Sequence, residues 1–215
     1  QIQVFGAPLH RIEGPRQAAT DAAEAFVAER GLVYMSHSLS PYFLEGMKAV
    51  SYELVEVLYD EIEHVVLPVG NGALLIGMVR GFQELVEAGV VGRMPKFHAV
   101  QSHAVRPLVA ALTGEDWSPE DAVPTRASGI AVSKPPRLAE MIEAVRVSNG
   151  TGVTVAEDSL VTWQKRLAQS EGIFAELTSA GAFAGLEKLI FSGIIDRGAV
   201  VCLPITGSGL KDPLG

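Results

Sequence analysis

The chain has 215 residues, of which 48% are hydrophobic and 20% charged, and it carries a formal net charge of −8 with a pI near 5.1. That length can bury a substantial core without staples, and the acidic balance, with no cluster of Lys and Arg, excludes a nucleic-acid partner. No run approaches the roughly 18 to 20 apolar residues of a membrane span, no signal-peptide pattern opens the chain, and the single cysteine, Cys202, sits in the apolar run "AVVCLPIT" as a small buried hydrophobe, so no disulfide framework exists and a cytoplasmic location is expected.

Strand-like and helix-like patterns alternate along the chain, which predicts α/β layering around a mostly parallel sheet. Residues 2–5 read as a strand, 15–30 as an alanine-rich helix stopped by Gly31, and 32–35 as a short strand. A helix over 43–59 places Leu44, Met47, Val50, Leu54, Val55 and Leu58 on one face. Residues 65–69 form a continuous apolar run, as in a strand covered on both faces, and the following helix carries Leu75, Met78, Val79, Phe82, Leu85 and Val86 on one stripe. A strand over 97–101 and a short helix to Leu112 come next. The 24 residues 113–136 then hold four of the twelve prolines and show no period; a loop of that length inside a compact domain is functional or a linker. Helix, strand and helix resume at 137–147, 152–155 and 158–170. A small-residue helix, "SAGAFAGLEKLIFSG", precedes a last strand over 199–205, and the chain ends in "TGSGLKDPLG".

The turn "VGNGALL" joins the buried strand to its helix. Glycines there leave backbone N–H groups free of any Cβ at a helix start, where the dipole favours an anion such as phosphate; a glycine that only satisfies a positive φ is the alternative. No Lys-Ser or Lys-Thr follows the glycines, and Leu75 occupies the third-glycine position of a dinucleotide fingerprint, so a nucleotide is disfavoured. The histidines suggest no metal site: His98 and His103 straddle a strand end, while His10 and His64 are isolated.

Three blocks carry a resemblance: "SLSPYFLEGMKAVSYEL", "VVLPVGNGALLIGMVRGFQELVEAGVVGRMPKFHAVQ", and the pair "EGIFAELTSAGAFAGL" and "LPITGSGLKD". In this order they resemble the carboxy-terminal two thirds of threonine synthase and its relatives, the fold-type-II pyridoxal-phosphate enzymes of the tryptophan synthase beta superfamily. The resemblance implies a three-layer αβα fold, incomplete at its N-terminal side, in which 1–45 is the remainder of the small mobile domain and 46–215 the second half of the large one. It implies pyridoxal 5'-phosphate (PLP) as cofactor, with Gly70, Asn71, Gly72, Ala73 and Leu74 around its phosphate. The block 206–212 places the Thr206 hydroxyl at the pyridine nitrogen, and Glu176 and Ser179 lie near the ring. A plain turn residue for Thr206, a helix-start carboxylate for Glu176 and an N-cap for Ser179 are the alternatives.

Two departures from the family pattern matter. The "SxKxR"-like block with the Schiff-base lysine is missing, and Lys48, Lys96, Lys134, Lys165, Lys188 and Lys211 lack its context; the amine is expected upstream of Gln1, in a longer enzyme. The substrate-gripping "NSxNPxR" pattern here reads His37, Ser38, Leu39, Ser40, Pro41, Tyr42, Phe43, and the glycine loop ends in Leu74, not asparagine. Phe43 removes a bidentate anion donor, so O-phosphohomoserine is disfavoured and a less charged amino acid is expected, with His37, Ser38 and Phe43 on the substrate side. The implied function is a PLP-dependent lyase or synthase working by β- or γ-elimination or replacement, as a homodimer when whole. The alternative is a non-catalytic binding or interaction domain of the same ancestry.

Overall fold

Four short runs rich in β-branched residues line up as one parallel sheet: β1 (His64–Pro68), β2 (Lys96–Ser102), β3 (Gly152–Val155) and β4 (Val201–Cys202), in the order β3-β2-β1-β4. The structure is a computed structural model that describes residues 2–14 and 16–211. Val65, Val66 and Leu67 of β1 are fully buried, which is why this strand reads as an unbroken apolar run and not as an alternating one. The first three strands match the sequence pattern to within a residue. β4 is shorter than the expected 199–205: pairing with β1 stops at Cys202, and Pro204 has no N–H to extend the ladder.

The crossovers decide the layers. α4 (Ala73–Glu87) links β1 to β2, and α5 (Pro107–Thr113) with α6 (Leu138–Val147) links β2 to β3, so the chain steps in one direction across the sheet. α7 (Glu157–Glu171) and α8 (Leu177–Phe191) then carry it back past β2 and β1 to β4. Right-handed crossovers require opposite faces for opposite directions, and the two cores agree: Val65, Leu67 and Val69 pack with Leu75, Met78, Met141 and Val145, whereas Val66 and Val100 pack with Leu160, Ala184 and Leu189. The result is the expected αβα sandwich. The small-residue helix α8 lies inside this fold, where a Cβ on Gly185 would overlap the Val100 side chain and one on Gly181 would press on Leu160.

The helix expected over 43–59 is two helices, α2 (Pro41–Met47) and α3 (Ala49–Leu58). The break falls where both close on α4: a Cβ on Gly77 would collide with Met47, and one on Gly81 would meet the Lys48 carbonyl at 2.9 Å. The long loop 113–136 contains two 3-10 turns, Pro119–Asp121 and Ser128–Ile130, and buries Ala127 and Ile130.

The chain divides into two units, Gln1–Ser36 and His37–Gly215, the sheet belonging to the second. The first is built around α1 (Arg16–Arg30), with the His10 ring 5.2 Å from that of Phe26. Its two expected strands do not form. Ile2–Phe5 is a 3-10 turn, and 32–35 has no regular structure, with Val33 and Met35 strongly exposed; a strand needs a ladder partner, and the described residues of this unit offer none. Among the described residues no helix is long and apolar enough to cross a membrane.

Candidate functional site

β1 ends in a turn that keeps the start of α4 open. The last ladder bond runs from Val69 N–H to Val100 O at 2.9 Å, and the first helical bond from Ile76 N–H to Gly72 O at 2.9 Å. Gly72 is the N-cap residue, in the left-handed region at φ 80°, and no side chain caps the helix. The amides of the first turn therefore point out of the end of a 15-residue helix, at the positive end of its dipole.

Both glycines of the turn are sterically required. A Cβ on Gly70 would lie 2.6 Å from the Gly129 carbonyl and 3.3 Å from Val132, and one on Gly72 would collide with the Met141 sulfur. Asn71, Ala73 and Leu74 are half-buried around them. Backbone at close quarters, glycine where a side chain would block, and an uncapped helix start together make a cradle suited to a phosphate group.

The strand β4 leads to the second part of the site. His64 and Val65 pair with Val201 and Cys202, and the chain runs on from the C-terminal end of β4 through Pro204 to Thr206. Thr206 is exposed, and its N–H donates to Ser179 Oγ at 3.2 Å. Glu176 N–H donates to Gly207 O at 2.9 Å, Gly209 N–H to Phe174 O at 2.8 Å, and Ala175 forms an antiparallel bridge with Ser208. Gly207 lies so close to the buried Glu176 carboxylate that any Cβ would overlap it. Thr206, Glu176 and Ser179 are thus brought together, whereas Asp212, the end of the 206–212 block, lies outside the described residues.

Strands β1 and β4 are neighbours whose helices cover opposite faces, so the crevice beyond their C-terminal ends is the switch point at which open α/β sheets bind ligands. The glycine turn and Thr206 flank that crevice.

His37, Ser38 and Phe43 form a third cluster. Ser38 Oγ lies 3.4 Å from His37 Nε2, and the His37 and Phe43 rings are 5.6 Å apart. Two elements absent from the sequence-based expectations support these parts. Arg137 donates from Nε to Ser38 O at 2.9 Å and from Nη2 to Leu39 O at 2.8 Å. The turn Ser128–Ile130 fills the space beside Gly70, and Gly129 N–H donates to Thr178 Oγ1 at 3.1 Å. Both contacts are long-range and engage backbone atoms, so no local pattern announces them.

Three of the lysine amines, those of Lys48, Lys134 and Lys188, have partners away from the glycine turn. Lys48 is paired with Glu45 and Glu84, whose hydrogen bonds hold its ammonium well above the usual lysine range. Lys134 lies 3.8 Å from Glu120, Lys188 donates to Thr154 O at 2.7 Å, and Lys96 begins β2 at the sheet's opposite edge. Lys165 is exposed on α7, and the Lys211 side chain lies outside the described residues. Cys202 is partly buried, and burial pushes its thiol up. His64 is not isolated: its Nδ1 lies 2.9 Å from His98 Nε2 across β1 and β2, because two strands in this register bring Val66 beside His98 and leave His64 within ring contact. Among the described residues no three His, Cys, Asp or Glu gather around a metal position.

Comparison with known proteins shows the chain's family and fold. The chain is 33% identical over 216 residues to a threonine synthase of Methanocaldococcus jannaschii, covering 99% of this chain and 53% of that protein. It is 34% identical over 216 residues to a threonine synthase of Methanosarcina acetivorans, with the same coverage. The chain thus spans about half the length of the relatives it matches. Its fold is shared with an L-serine ammonia-lyase from Rhizomucor miehei (TM-score 0.80, 18% identity, 96% of this chain and 64% of that one). It is also shared with a threonine deaminase isoform 2 from Solanum lycopersicum (TM-score 0.77, 21% identity, 96% and 57%); both are fold-type-II architectures. A family profile described as "Pyridoxal-phosphate dependent enzyme" matches residues 1–207, so the chain belongs to that PLP-dependent family.

Proposed function

We propose that this chain forms the carboxy-terminal part of a PLP-dependent lyase or synthase acting on an uncharged amino acid. The observation that carries the reading is the crevice between β1 and β4, with an uncapped helix start on one side and Thr206 on the other. The Gly70–Leu74 amides receive the cofactor's phosphate, to which the Cβ-free cradle is suited. Thr206 presents its hydroxyl to the pyridine nitrogen, and Glu176 and Ser179 fix the backbone that carries it. Bound PLP supplies an electron sink for the substrate's α-carbon. A hydroxyl partner leaves that ring nitrogen without a carboxylate's counter-charge, which suits elimination or replacement over transamination. The amine that anchors the cofactor comes from a lysine outside these 215 residues, since the lysines placed here are engaged or located elsewhere.

His37, Ser38 and Phe43, which lie within the stretch 1–45 assigned to the small domain, form the substrate side. The Phe43 ring lies tilted beside His37 and offers no anion donor, and Leu74 adds apolar surface, which disfavours O-phosphohomoserine. The second reading, a non-catalytic binding domain of this ancestry, is motivated by the engaged lysines. The test is to titrate the full-length protein with PLP and follow its absorbance on adding L-serine, L-threonine and O-phosphohomoserine. A coloured protein whose spectrum responds to the uncharged amino acids supports the proposal. Efficient turnover of O-phosphohomoserine overturns the substrate assignment, and a colourless protein favours the second reading.

A further inference from the structure

The wall beside the glycine turn is held by a carboxylate remote from it. Glu157, the first residue of α7, accepts at Oε1 from Ser102 Oγ at 2.7 Å and from Thr125 Oγ1 at 2.7 Å, and at Oε2 from the Arg126 N–H at 2.8 Å. Ser102 ends β2, and Glu157 lies two residues beyond the end of β3, so one side chain ties residues 125 and 126 to the C-terminal edge of the sheet. Thr125 Oγ1 in turn accepts from the Ala127 N–H at 3.1 Å. The chain then enters the turn Ser128–Ile130, whose Gly129 carbonyl occupies the space that Gly70 leaves open and whose Gly129 N–H is bound by Thr178, next to Ser179. The segment is a backbone wedge between the glycine turn and the start of α8.

We propose that Glu157 is a positioning residue for the cofactor site: by anchoring residues 125 to 127 it sets the wedge 128–130 against Gly70 and thereby shapes the phosphate cradle. The inference rests on the reading of the Gly70 turn as that cradle. Glu157 is suited to the task as an ion. Burial pushes its carboxyl up, but the hydrogen bonds from Ser102, Thr125 and the Arg126 amide outweigh burial and hold it below the usual range. It is therefore charged at neutral pH, when charge-assisted bonds are strongest. Its hydrogen bonds go to Ser102, Thr125 and the Arg126 amide, so it acts through the wedge.

The test compares PLP dissociation constants of the full-length enzyme, read by cofactor absorbance or fluorescence, with amide hydrogen exchange at residues 126–130. Glu157→Ala is expected to weaken PLP binding by about tenfold, the loss of one charge-assisted hydrogen bond's worth of positioning, and to speed exchange at Arg126 and Gly129. Should Glu157→Ala fail to fold, Thr125→Val removes the hydroxyl's two bonds, the one it donates to Glu157 and the one it accepts from the Ala127 N–H, within a native-like shape, and Thr125→Ser, which keeps the hydroxyl, must retain the affinity that Thr125→Val loses. Gly70→Ala is measured beside them. If Gly70→Ala loses PLP while Glu157→Ala and Thr125→Val bind it within twofold of the parent, the positioning role is overturned and the cradle stands. If Gly70→Ala also binds normally, the cradle reading falls and this inference falls with it.

Discussion

Arg137, the N-cap residue of α6, accepts at its carbonyl from the Met141 N–H at 3.0 Å, and the two side chains reach two different loops. The Arg137 guanidinium, next to the N-terminus of the helix, binds the Ser38 and Leu39 carbonyls, and the Met141 sulfur closes on Gly72. The first turn of α6 therefore ties the loop carrying Ser38 and Leu39 to the glycine turn.

Arg137 should therefore govern substrate more than cofactor. Its fork binds two carbonyls while Nη1 pairs with Glu140 at 2.7 Å, an arrangement lysine cannot copy. Arg137→Met keeps the apolar stem and removes every donor. The expected outcome is a rise in substrate KM of about tenfold, the scale of one charged hydrogen bond, with PLP affinity within twofold. An unchanged KM for the best amino-acid substrate would mean that the 37–43 loop is held by other contacts.

Gly72→Ala tests the cradle from the other side. The φ of 80° costs an L-residue roughly 1–2 kcal/mol, and the new methyl meets Met141, so PLP affinity should fall at least tenfold and the thermal midpoint should drop. Adding Met141→Ala removes the collision and leaves the backbone strain. The double variant should recover part of the loss, which a paired PLP titration and thermal melt can resolve; no recovery at all would place the whole effect in the backbone.

What the sequence made legible follows from how each feature is encoded. β1, its glycine turn and α4 are local: a doubly covered strand needs an unbroken apolar run, and a tight strand-to-helix turn needs glycine, so both are written in adjacent residues. The convergence of Thr206 with Glu176 and Ser179 came through a motif, because each side chain alone has an ordinary turn or cap role. The wedge 128–130 escaped because its working atoms are the Gly129 carbonyl and N–H, which every residue possesses. The strands expected at 2–5 and 32–35 failed for the opposite reason: such apolar runs report a propensity to pair, and pairing requires a partner that the described residues of the first unit do not offer.

The His64–His98 pair should make stability depend on pH. Burial, with Lys96 adding to it, lowers both imidazoles, and His98 is brought to about 4 with the neighbouring His64 as a further cause; Glu63 and Asp196 oppose the shift only at His64. The 2.9 Å contact joins a donor nitrogen to an acceptor, so protonating both rings would set donor against donor. The folded state thus binds fewer protons than the unfolded one below an ordinary histidine pKa of about 6.5. The stability from this pair is present above that pH and is lost as pH falls toward 4, at no more than ~1.4 kcal/mol per pH unit for His98. Denaturant titrations at pH 7, 6 and 5 should show that loss, and His98→Leu should flatten it; an equal slope in the variant would assign the acid sensitivity to other groups.

Borohydride reduction of the PLP-loaded full-length enzyme, followed by peptide mapping, addresses where the anchoring amine resides. An amine must be deprotonated to attack the cofactor's aldehyde, and Lys48 is the worst placed for that, since Glu45 and Glu84 stabilise its ammonium from two sides. Lys188 is tied to the Thr154 carbonyl, and Lys96 opens β2 at the edge away from Gly70. The label is therefore expected on a lysine outside residues 1–215, and Lys48→Ala should bind PLP with undiminished affinity. A label on any lysine of this chain would instead place a competent amine here and require the engaged lysine to leave its present partner when the cofactor arrives.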